Sequence, residues 1–171
     1  MMRHLLAALA LLLALAAPAA AQAQIRTLVE INGWRVTVAP SASGPICSMG
    51  TDANTMGRAF WMRVERLRGE LHGYIHVSDQ SWSVPRDNQG RIVVFLDNRR
   101  AELNWTGTAF PTRIEASYLG AWNNFLNFVE AFAAGNTMRV TFPGSRLESW
   151  SADLRGTRRV TNTFLDCIRS M

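Results

Sequence analysis

Two cysteines constrain the fold of this 171-residue chain more than any other feature of its sequence. Cys47 lies in the first third of the chain, and Cys167 lies four residues before its last residue. A bond between them would tie the closing segment to an early one. A thiol in such a position is a catalyst, a metal ligand or one half of a disulfide, and the choice depends on the compartment in which the chain folds.

The first residues, MMRHLLAALALLLALAAPAAAQAQ, predict export. They combine a basic start, an apolar run at residues 5–17 and a small-x-small cleavage site at residues 21–23. The apolar run is shorter than the roughly 20 residues of a membrane-spanning helix. We therefore predict a secretory signal peptide over residues 1–23 and a periplasmic or secreted protein with no membrane span after signal removal. An uncleaved anchor is the alternative.

In an oxidising compartment, an even number of cysteines in a small domain favours a disulfide. Cys47 and Cys167 are the only cysteines and can form only one intramolecular pair. The bond would close a loop of about 120 residues, for which chain entropy predicts up to roughly 4 to 5 kcal/mol of stabilisation. A cysteine nucleophile would need a neighbouring base, and GPICSMGTDAN contains no histidine. We therefore predict a structural disulfide.

The charge pattern excludes a nucleic-acid footprint. All 18 basic residues are arginines, and 17 remain against 13 acidic residues once Arg3 leaves with the signal peptide, a charge of about +4. Acidic residues separate most of these arginines, whereas a nucleic-acid site needs them clustered. No further long apolar run follows, so residues 24–171 are predicted to form a single globular domain.

Paired strands dominate the first two thirds of this domain. TLVEINGWRVTV places Asn32-Gly33 between two β-rich runs, the strongest short signal for a hairpin. AFWMRVER and ELHGYIHV predict a second hairpin around Arg68-Gly69, and RIVVFLD and AELNWTG a third around Asn98-Arg99. TMRVTF and RLESWSADL are predicted to be later strands.

Two helices interrupt the strands. The apolar residues of SYLGAWNNFLNFVEAFAAGN recur with helical spacing, which predicts a helix over about 118–134 with Ser117 as N-cap. The closing segment predicts a second helix over 157–170, capped by Thr157, with Cys167 on its buried stripe. The predicted fold class is α+β: an antiparallel, curved β-rich sheet or sandwich with two packed helices.

The second half of the chain, from Arg91 to Cys167, carries a family resemblance. VVFLDNRRAEL, FLNFVEAFAAGNTMRVTF and WSADLRGTRRVTNTFLDC follow one another there. A strand ending in Asp, an amphipathic helix ending in Ala-Gly, a strand and a Leu-x-Gly turn into a terminal helix resemble the invasion-associated locus B family of exported alphaproteobacterial proteins. The chain lacks the additional middle-region cysteines typical of that family. The resemblance implies a protein acting at the cell envelope or on a host, without established catalytic residues.

His72 and His76 have an H-x-x-x-H spacing that would place two zinc ligands on one face of a helix. Their segment is predicted to be a strand, where a rise of about 3.3 Å per residue separates the two rings by about 13 Å. That distance is too long for a shared metal ion. We therefore predict neither a metal site nor a cofactor.

Trp82 is the predicted contact with a partner. Of the six tryptophans, it alone lies in a predicted loop, SDQSWSVPRDNQG, together with Arg86 and Asp87. An aromatic residue beside charged ones is typical of binding hot spots. The alternative interpretation is that Trp82 folds back and covers the sheet.

Arg158 and Arg159 begin the predicted closing helix, where the helix dipole favours negative charge. Two interpretations explain them. A nearby carboxylate, such as that of Asp153, offsets their charge, or they form a site for an anion such as a phosphate or a sulfated sugar.

Two functions from different classes remain. The favoured one is an exported, non-enzymatic domain that binds a protein or an envelope component. The alternative is a small glycan-directed hydrolase that uses two carboxylates among Glu65, Asp79 and Asp97. A deep pocket with two carboxyl groups about 5 to 10 Å apart would favour the hydrolase, and a filled core with shallow grooves would favour the binding domain.

Overall fold

The computed structural model describes residues 24–52, 56–118 and 121–171. The predicted signal peptide at residues 1–23 lies outside the described residues. The strands are β1 (Arg26–Ile31), β2 (Trp34–Ser41), β3 (Gly44–Thr51), β4 (Arg58–Leu67), β5 (Glu70–Asp79), β6 (Gln89–Leu96), β7 (Arg99–Gly107), β8 (Arg113–Ser117), β9 (Thr137–Thr141) and β10 (Trp150–Asp153). The helices are α1 (Trp122–Ala134) and α2 (Thr157–Arg169).

All of these strands belong to one antiparallel sheet. Its order is β1-β2-β3-β4-β5-β8-β7-β6-β9-β10. β8 therefore lies between β5 and β7, and β6 lies between β7 and β9. The predicted α+β class, an antiparallel β-rich sheet with two packed helices, is confirmed. Neither helix within the described residues has the length and apolar character that a membrane crossing requires.

The sheet curls until its two edges approach each other. The indole N–H of Trp34, at the start of β2, donates to the carbonyl of Asp153 at the end of β10 (3.1 Å). The side-chain amide of Asn32, in the β1-β2 turn, donates to the carbonyl of Arg155 (3.4 Å). The curled sheet therefore has a concave inner face, which carries the core, and a convex outer face.

Helix α1 fills the inner face. Its ring of Phe125 lies on Gly73 of β5, where an added Cβ would come within 2.5 Å of the ring. Two turns further along the helix, Phe132 contacts Trp34 (ring centroids 5.1 Å apart) and Phe60 of β4 (6.0 Å). Aromatic pairs at these separations stabilise a core beyond the area they bury.

Helix α2 closes the inner face over β1, β2 and β3. Cys167 of this helix is bonded to Cys47 of β3, with the two Cα atoms 6.0 Å apart. The predicted disulfide is confirmed, and both cysteines are buried in the hydrophobic core. Because 120 residues separate the cysteines, the bond holds the chain's last helix against one of its first strands.

The predicted hairpin turns are present, with one shift. Asn32 and Gly33 have φ values of 51° and 77°, and Arg68 and Gly69 have φ values of 52° and 89°, as two-residue turns of the I′ type require. The third turn lies one residue earlier than predicted, because Asp97 (φ 49°) rather than Arg99 takes a left-handed position there.

The predicted helix starts need two corrections. Ser117 is the last residue of β8 and not an N-cap, because the N–H of Tyr118 still donates to the carbonyl of Gly73 (2.9 Å) and keeps the chain extended. Helix α1 therefore begins at Trp122. In α2 the N-cap is Gly156 (φ 86°), and Thr157 is already the first helical residue.

The strand predictions missed β3 and β8 and extended β10 too far. β3 contains two glycines and a proline, which have weak strand preference, and pairing with both neighbours keeps it extended. β8 has only five residues. β10 is limited to Trp150–Asp153, since the preceding residues form a loop.

Candidate functional site

The candidate site is a shallow cavity on the outer face of β3, β4, β5 and β8. Successive side chains of a strand point to opposite faces, so each of these strands presents apolar residues to the helices and polar ones outward. The cavity has a volume of about 280 Å³. We call it the outer-face cavity, and its lining residues are Ser48, Trp61, Arg63, His76, Ser78 and Arg113.

Strand register brings these residues together from four separate segments. Trp61, His76 and Glu115 lie side by side on β4, β5 and β8, and Ser78 lies beside Arg113. Directly paired residues of antiparallel strands have Cβ atoms about 4.5 to 5.5 Å apart, close enough for their side chains to interact. The cavity is therefore a product of the sheet's pairing and not of a loop.

Trp61 is positioned by a glycine of the next strand. A Cβ added to Gly50 would lie 2.5 Å from the indole of Trp61 and 2.3 Å from the carbonyl oxygen of Phe60, so only glycine leaves room for the ring. The guanidinium of Arg35, which also pairs with Asp52, lies over the indole at 5.5 Å from its centroid. These contacts hold Trp61 half-buried at the cavity wall.

His76 and Glu115 form a hydrogen-bonded pair. The Nε2 atom of His76 lies 2.7 Å from a carboxylate oxygen of Glu115. This hydrogen bond, helped by the positive charges of His76, Arg63 and Arg113, outweighs partial burial and lowers the pKa of Glu115. Because Glu115 engages Nε2, Nδ1 of His76 remains for one further hydrogen bond.

The two arginines of the cavity differ in their partners. Arg63 donates to the carboxylate of Glu65 at 2.7 Å. Arg113 makes no ion pair among the described residues, and its guanidinium lies 4.3 Å from the ring centroid of Phe110, which is exposed. Burial lowers the pKa of Arg113, and its Nε atom is buried without an acceptor. A partly dehydrated guanidinium that makes no ion pair favours an external anion.

The remaining donors of the cavity are also unused. Among the described residues, the hydroxyls of Ser48 and Ser78 make no side-chain hydrogen bond, and the Nε atom of Arg63 is buried without an acceptor. A hydroxyl can both donate and accept a hydrogen bond. The cavity therefore offers one unpaired cation, several neutral hydrogen-bonding groups and one aromatic wall.

At least four other grooves of the described residues are larger, and in two of them the polar groups are already paired or exposed. A groove of about 650 Å³ lies beside β9 and β10, where Asp97 accepts backbone hydrogen bonds from Asn136 and Thr137. A groove of about 390 Å³ separates α1 from β7, with an apolar floor and exposed arginines at its rim. Neither groove brings together unpaired, partly buried charged groups.

Trp82, the predicted partner contact, is buried. Only 7% of its surface is exposed, and its ring packs edge-on against Phe142, with the centroids 5.2 Å apart. The backbone N–H groups of Trp82 and Val84 donate to Asp79 and Pro111, so the loop is held against the sheet. The prediction that Trp82 is an exposed anchor is therefore wrong. The structure agrees with the alternative, in which Trp82 covers the sheet.

The other predicted binding residues are exposed and lie away from the outer-face cavity. Arg86 and Asp87 occupy the tip of the loop that follows Trp82. Arg158 and Arg159 are exposed in the first turn of α2, and their side chains make no hydrogen bond or ion pair with described residues. Their role in binding stays a prediction.

Asp153 does not offset the charge of Arg158 and Arg159. It pairs with Arg155 (Nε to Oδ2, 2.9 Å), and the side-chain and backbone hydrogen bonds from Arg155 lower the pKa of Asp153 to about 2. The first turn of α2 therefore contains no acidic residue and no acidic partner among the described residues.

The three carboxylates of the hydrolase alternative are engaged in separate contacts. Glu65 pairs with Arg63, and Asp97 caps residues at the start of β9. Asp79 is only 1% exposed and pairs with Arg58 at 2.7 Å. Asp79 is paired with Arg58 in the strand register, and Arg58 is seven residues from Glu65 along β4. At about 3.3 Å per residue, Glu65 and Asp79 are therefore about 23 Å apart.

His72 and His76 both lie on β5, as the strand pattern predicts. Only His76 belongs to the outer-face cavity. Within the described ranges, no three His, Cys, Asp or Glu side chains come together as a metal-binding group.

Sequence reasoning missed the residues of the cavity because it missed two of the strands that supply them. Ser48 lies on β3, and Arg113 and Glu115 lie on β8. The signal that could have revealed β8 is its strict alternation, with Arg113 and Glu115 outward and two buried apolar residues between and after them.

Comparisons with known proteins found no match: no family model, no curated protein and no solved structure is similar to this chain. The function is therefore inferred from the geometry of the outer-face cavity.

Proposed function

We propose that the chain is an exported, non-enzymatic domain that uses its outer face to bind a component of the cell envelope or of a host. The observation that carries this proposal is the convergence of partly buried polar groups in the outer-face cavity, including the guanidinium of Arg113 without a carboxylate partner. A partly buried guanidinium without an ion pair keeps unused hydrogen-bond donors, which an anionic ligand can engage.

Three features support export. The cysteines are bonded, and disulfides persist in oxidising compartments. The first 23 residues have the composition of a signal peptide. The resemblance to the invasion-associated locus B family points to the same periplasmic or secreted setting.

Two features support binding without catalysis. The outer-face cavity is small, at about 280 Å³, and the inner face of the sheet is filled by apolar side chains. A glycan hydrolase needs two carboxyl groups about 5 to 10 Å apart, and the candidate carboxylates Glu65, Asp79 and Asp97 are engaged in separate ion pairs and caps.

The test is capture from envelope extracts by the immobilised protein, purified after export with its disulfide intact. The bait with Trp61→Ala and Arg113→Gln together should lose the captured component, because both changes alter the cavity. A bait with Arg158→Gln and Arg159→Gln removes more positive charge but leaves the cavity unchanged, and it should retain the component.

Thermal unfolding of each bait shows that the variants are folded before capture is compared. Equal capture by wild type and the Trp61/Arg113 variant would overturn the outer face as the binding surface. Loss of capture only in the Arg158/Arg159 variant would move the surface to the start of α2.

A further inference from the structure

The charges around the outer-face cavity favour a ligand with a single negative charge. Arg63 pairs with Glu65 and Arg35 with Asp52, and His76 is hydrogen-bonded to Glu115 at 2.7 Å. Arg113 is the cation of the cavity that makes no ion pair among the described residues, although the charge of Glu115 acts on it from a longer distance. A planar guanidinium matches a carboxylate with two parallel hydrogen bonds.

The neutral groups of the cavity favour a ligand rich in hydroxyls. Ser48 and Ser78 can donate and accept, and Nδ1 of His76, which Glu115 does not engage, can make one further hydrogen bond. The mixture of donors and acceptors is more than a simple anion can use, because an anion only accepts hydrogen bonds. Sugar hydroxyls donate and accept at the same time.

The size and wall of the cavity agree with one ring. Its volume of about 280 Å³ lies just below the range of roughly 300 to 1,000 Å³ that is usual for drug-sized ligands. Trp61 provides an apolar wall, and Gly50 fixes the position of its indole. One sugar unit with apolar C–H groups and polar edges has the matching size and chemistry.

We infer that the outer-face cavity binds a sugar unit that carries one carboxylate, with Arg113 as the carboxylate ligand and Ser48, Ser78 and His76 as hydroxyl partners. This inference rests on the proposed function, since it names the ligand class of the same cavity. The sugar acid belongs to an envelope or host glycan.

An acidic peptide fits the cavity less well. β5 is paired with β4 on one side and with β8 on the other, so no free strand edge offers backbone hydrogen bonds to an extended peptide. A phosphate or sulfate dianion also fits less well, because the carboxylates of Glu65 and Glu115, paired with Arg63 and His76, add negative charge around the cavity.

The experiment is calorimetric titration of the purified exported protein with trimers of D-galacturonate, D-glucuronate trimers and N-acetylneuraminate. The methyl-esterified galacturonate trimer is the matched ligand control, because it keeps the sugar rings and removes the charge. We expect at least one free acid to bind at least 10-fold more tightly than its ester, and Arg113→Gln to lose that 10-fold. Arg158→Gln removes the same charge elsewhere and should bind as wild type does.

Inorganic phosphate and hexaglutamate are the competing probes. Tighter binding of either one than of every sugar acid would overturn the inference, as would sugar binding that Arg113→Gln leaves unchanged. If no sugar acid binds while envelope capture still depends on Trp61 and Arg113, the ligand class is wrong and the proposed function stands. If capture is also independent of these two residues, both fail.

Discussion

Phe60 and Trp61 are neighbours in β4, yet they lie on opposite faces of the sheet. Phe60 is completely buried and stacks with Phe132 of α1. Trp61 is half-buried on the outer face, beside His76 and over Gly50. The difference shows that one strand can supply the core with one set of alternate residues and a candidate binding surface with the other, so each face can be changed separately.

The largest predicted effect separates the two faces directly. Phe60→Ala should lower the free energy of unfolding by about 3 to 5 kcal/mol, because it leaves a cavity beneath α1. Trp61→Ala should cost about 1 kcal/mol, because the indole has solvent on one side. Urea denaturation of both variants measures the difference. Equal losses of unfolding free energy would mean that outer-face residues stabilise the fold as much as core residues do.

The second prediction concerns the clamp on the inner face, the Cys47–Cys167 disulfide that holds α2 against β3. Replacing Cys47 and Cys167 together by Ser should lower stability by about 2 to 5 kcal/mol, since the bond restricts the unfolded chain. The far-ultraviolet circular dichroism of the sheet should stay largely unchanged at low temperature. Thiol titration of the exported protein should find no free thiol before reduction.

The same variant also tests whether the faces are independent. Ser48 is adjacent to Cys47 but points to the outer face. Ligand capture by the folded double variant should therefore match wild type well below its melting temperature. Loss of capture in a variant that is still folded would show that the clamp positions the outer face.

The inner face follows largely from the sequence because its signals are local. Alternating apolar residues mark β4 and β5, and Asn32-Gly33 and Arg68-Gly69 require the left-handed turns that join strands. The helical stripe of α1 and the disulfide follow from spacing and cysteine count. Only the ends of these elements shift, since hydrogen bonds from distant strands decide them, as at Tyr118 and Gly73.

The outer-face cavity does not follow from the sequence, because no short segment contains it. Its residues come from four strands, and the order of the sheet places β8 beside β5 across more than 30 intervening residues. Trp82 illustrates the opposite error. Its polar neighbours suggested exposure, whereas the size and apolar area of the ring place it against Phe142.

The third prediction concerns the buried carboxylate of Asp79. Burial alone would raise its pKa, but hydrogen bonds from Ser81 and Arg58 outweigh burial and lower it. A carboxyl group with a lowered folded pKa contributes stability above its unfolded pKa, near 3.9, and this contribution is lost as the pH falls through the folded value. Wild type should therefore lose stability more steeply in acid than Asp79→Asn does.

At neutral pH, Asp79→Asn should cost about 1.5 to 3 kcal/mol, the range for hydrogen bonds to charged groups. Asp87→Asn is the control, because Asp87 is exposed at the loop tip. Melting temperatures measured from pH 7 to pH 2 for wild type and both variants provide the comparison. Parallel curves for wild type and Asp79→Asn would show that the Arg58 pair does not contribute to acid sensitivity.

The smallest predicted effect is on Arg113, and it is the sharpest test of the outer face. Arg113→Met should leave stability within about 0.5 kcal/mol of wild type, because the change relieves a partly dehydrated cation and loses only the contact with exposed Phe110 and a solvent-screened attraction to Glu115. Arg63→Met is the matched control and should cost about 1 kcal/mol, since it leaves the partly buried Glu65 without its partner. A residue that binds a ligand can be lost without cost to the fold, whereas a residue that holds the fold cannot. If Arg113→Met instead lowers the free energy of unfolding more than Arg63→Met does, the Arg113 guanidinium stabilises the fold. The residue proposed to bind the ligand would then not be separable from the residues that hold the fold.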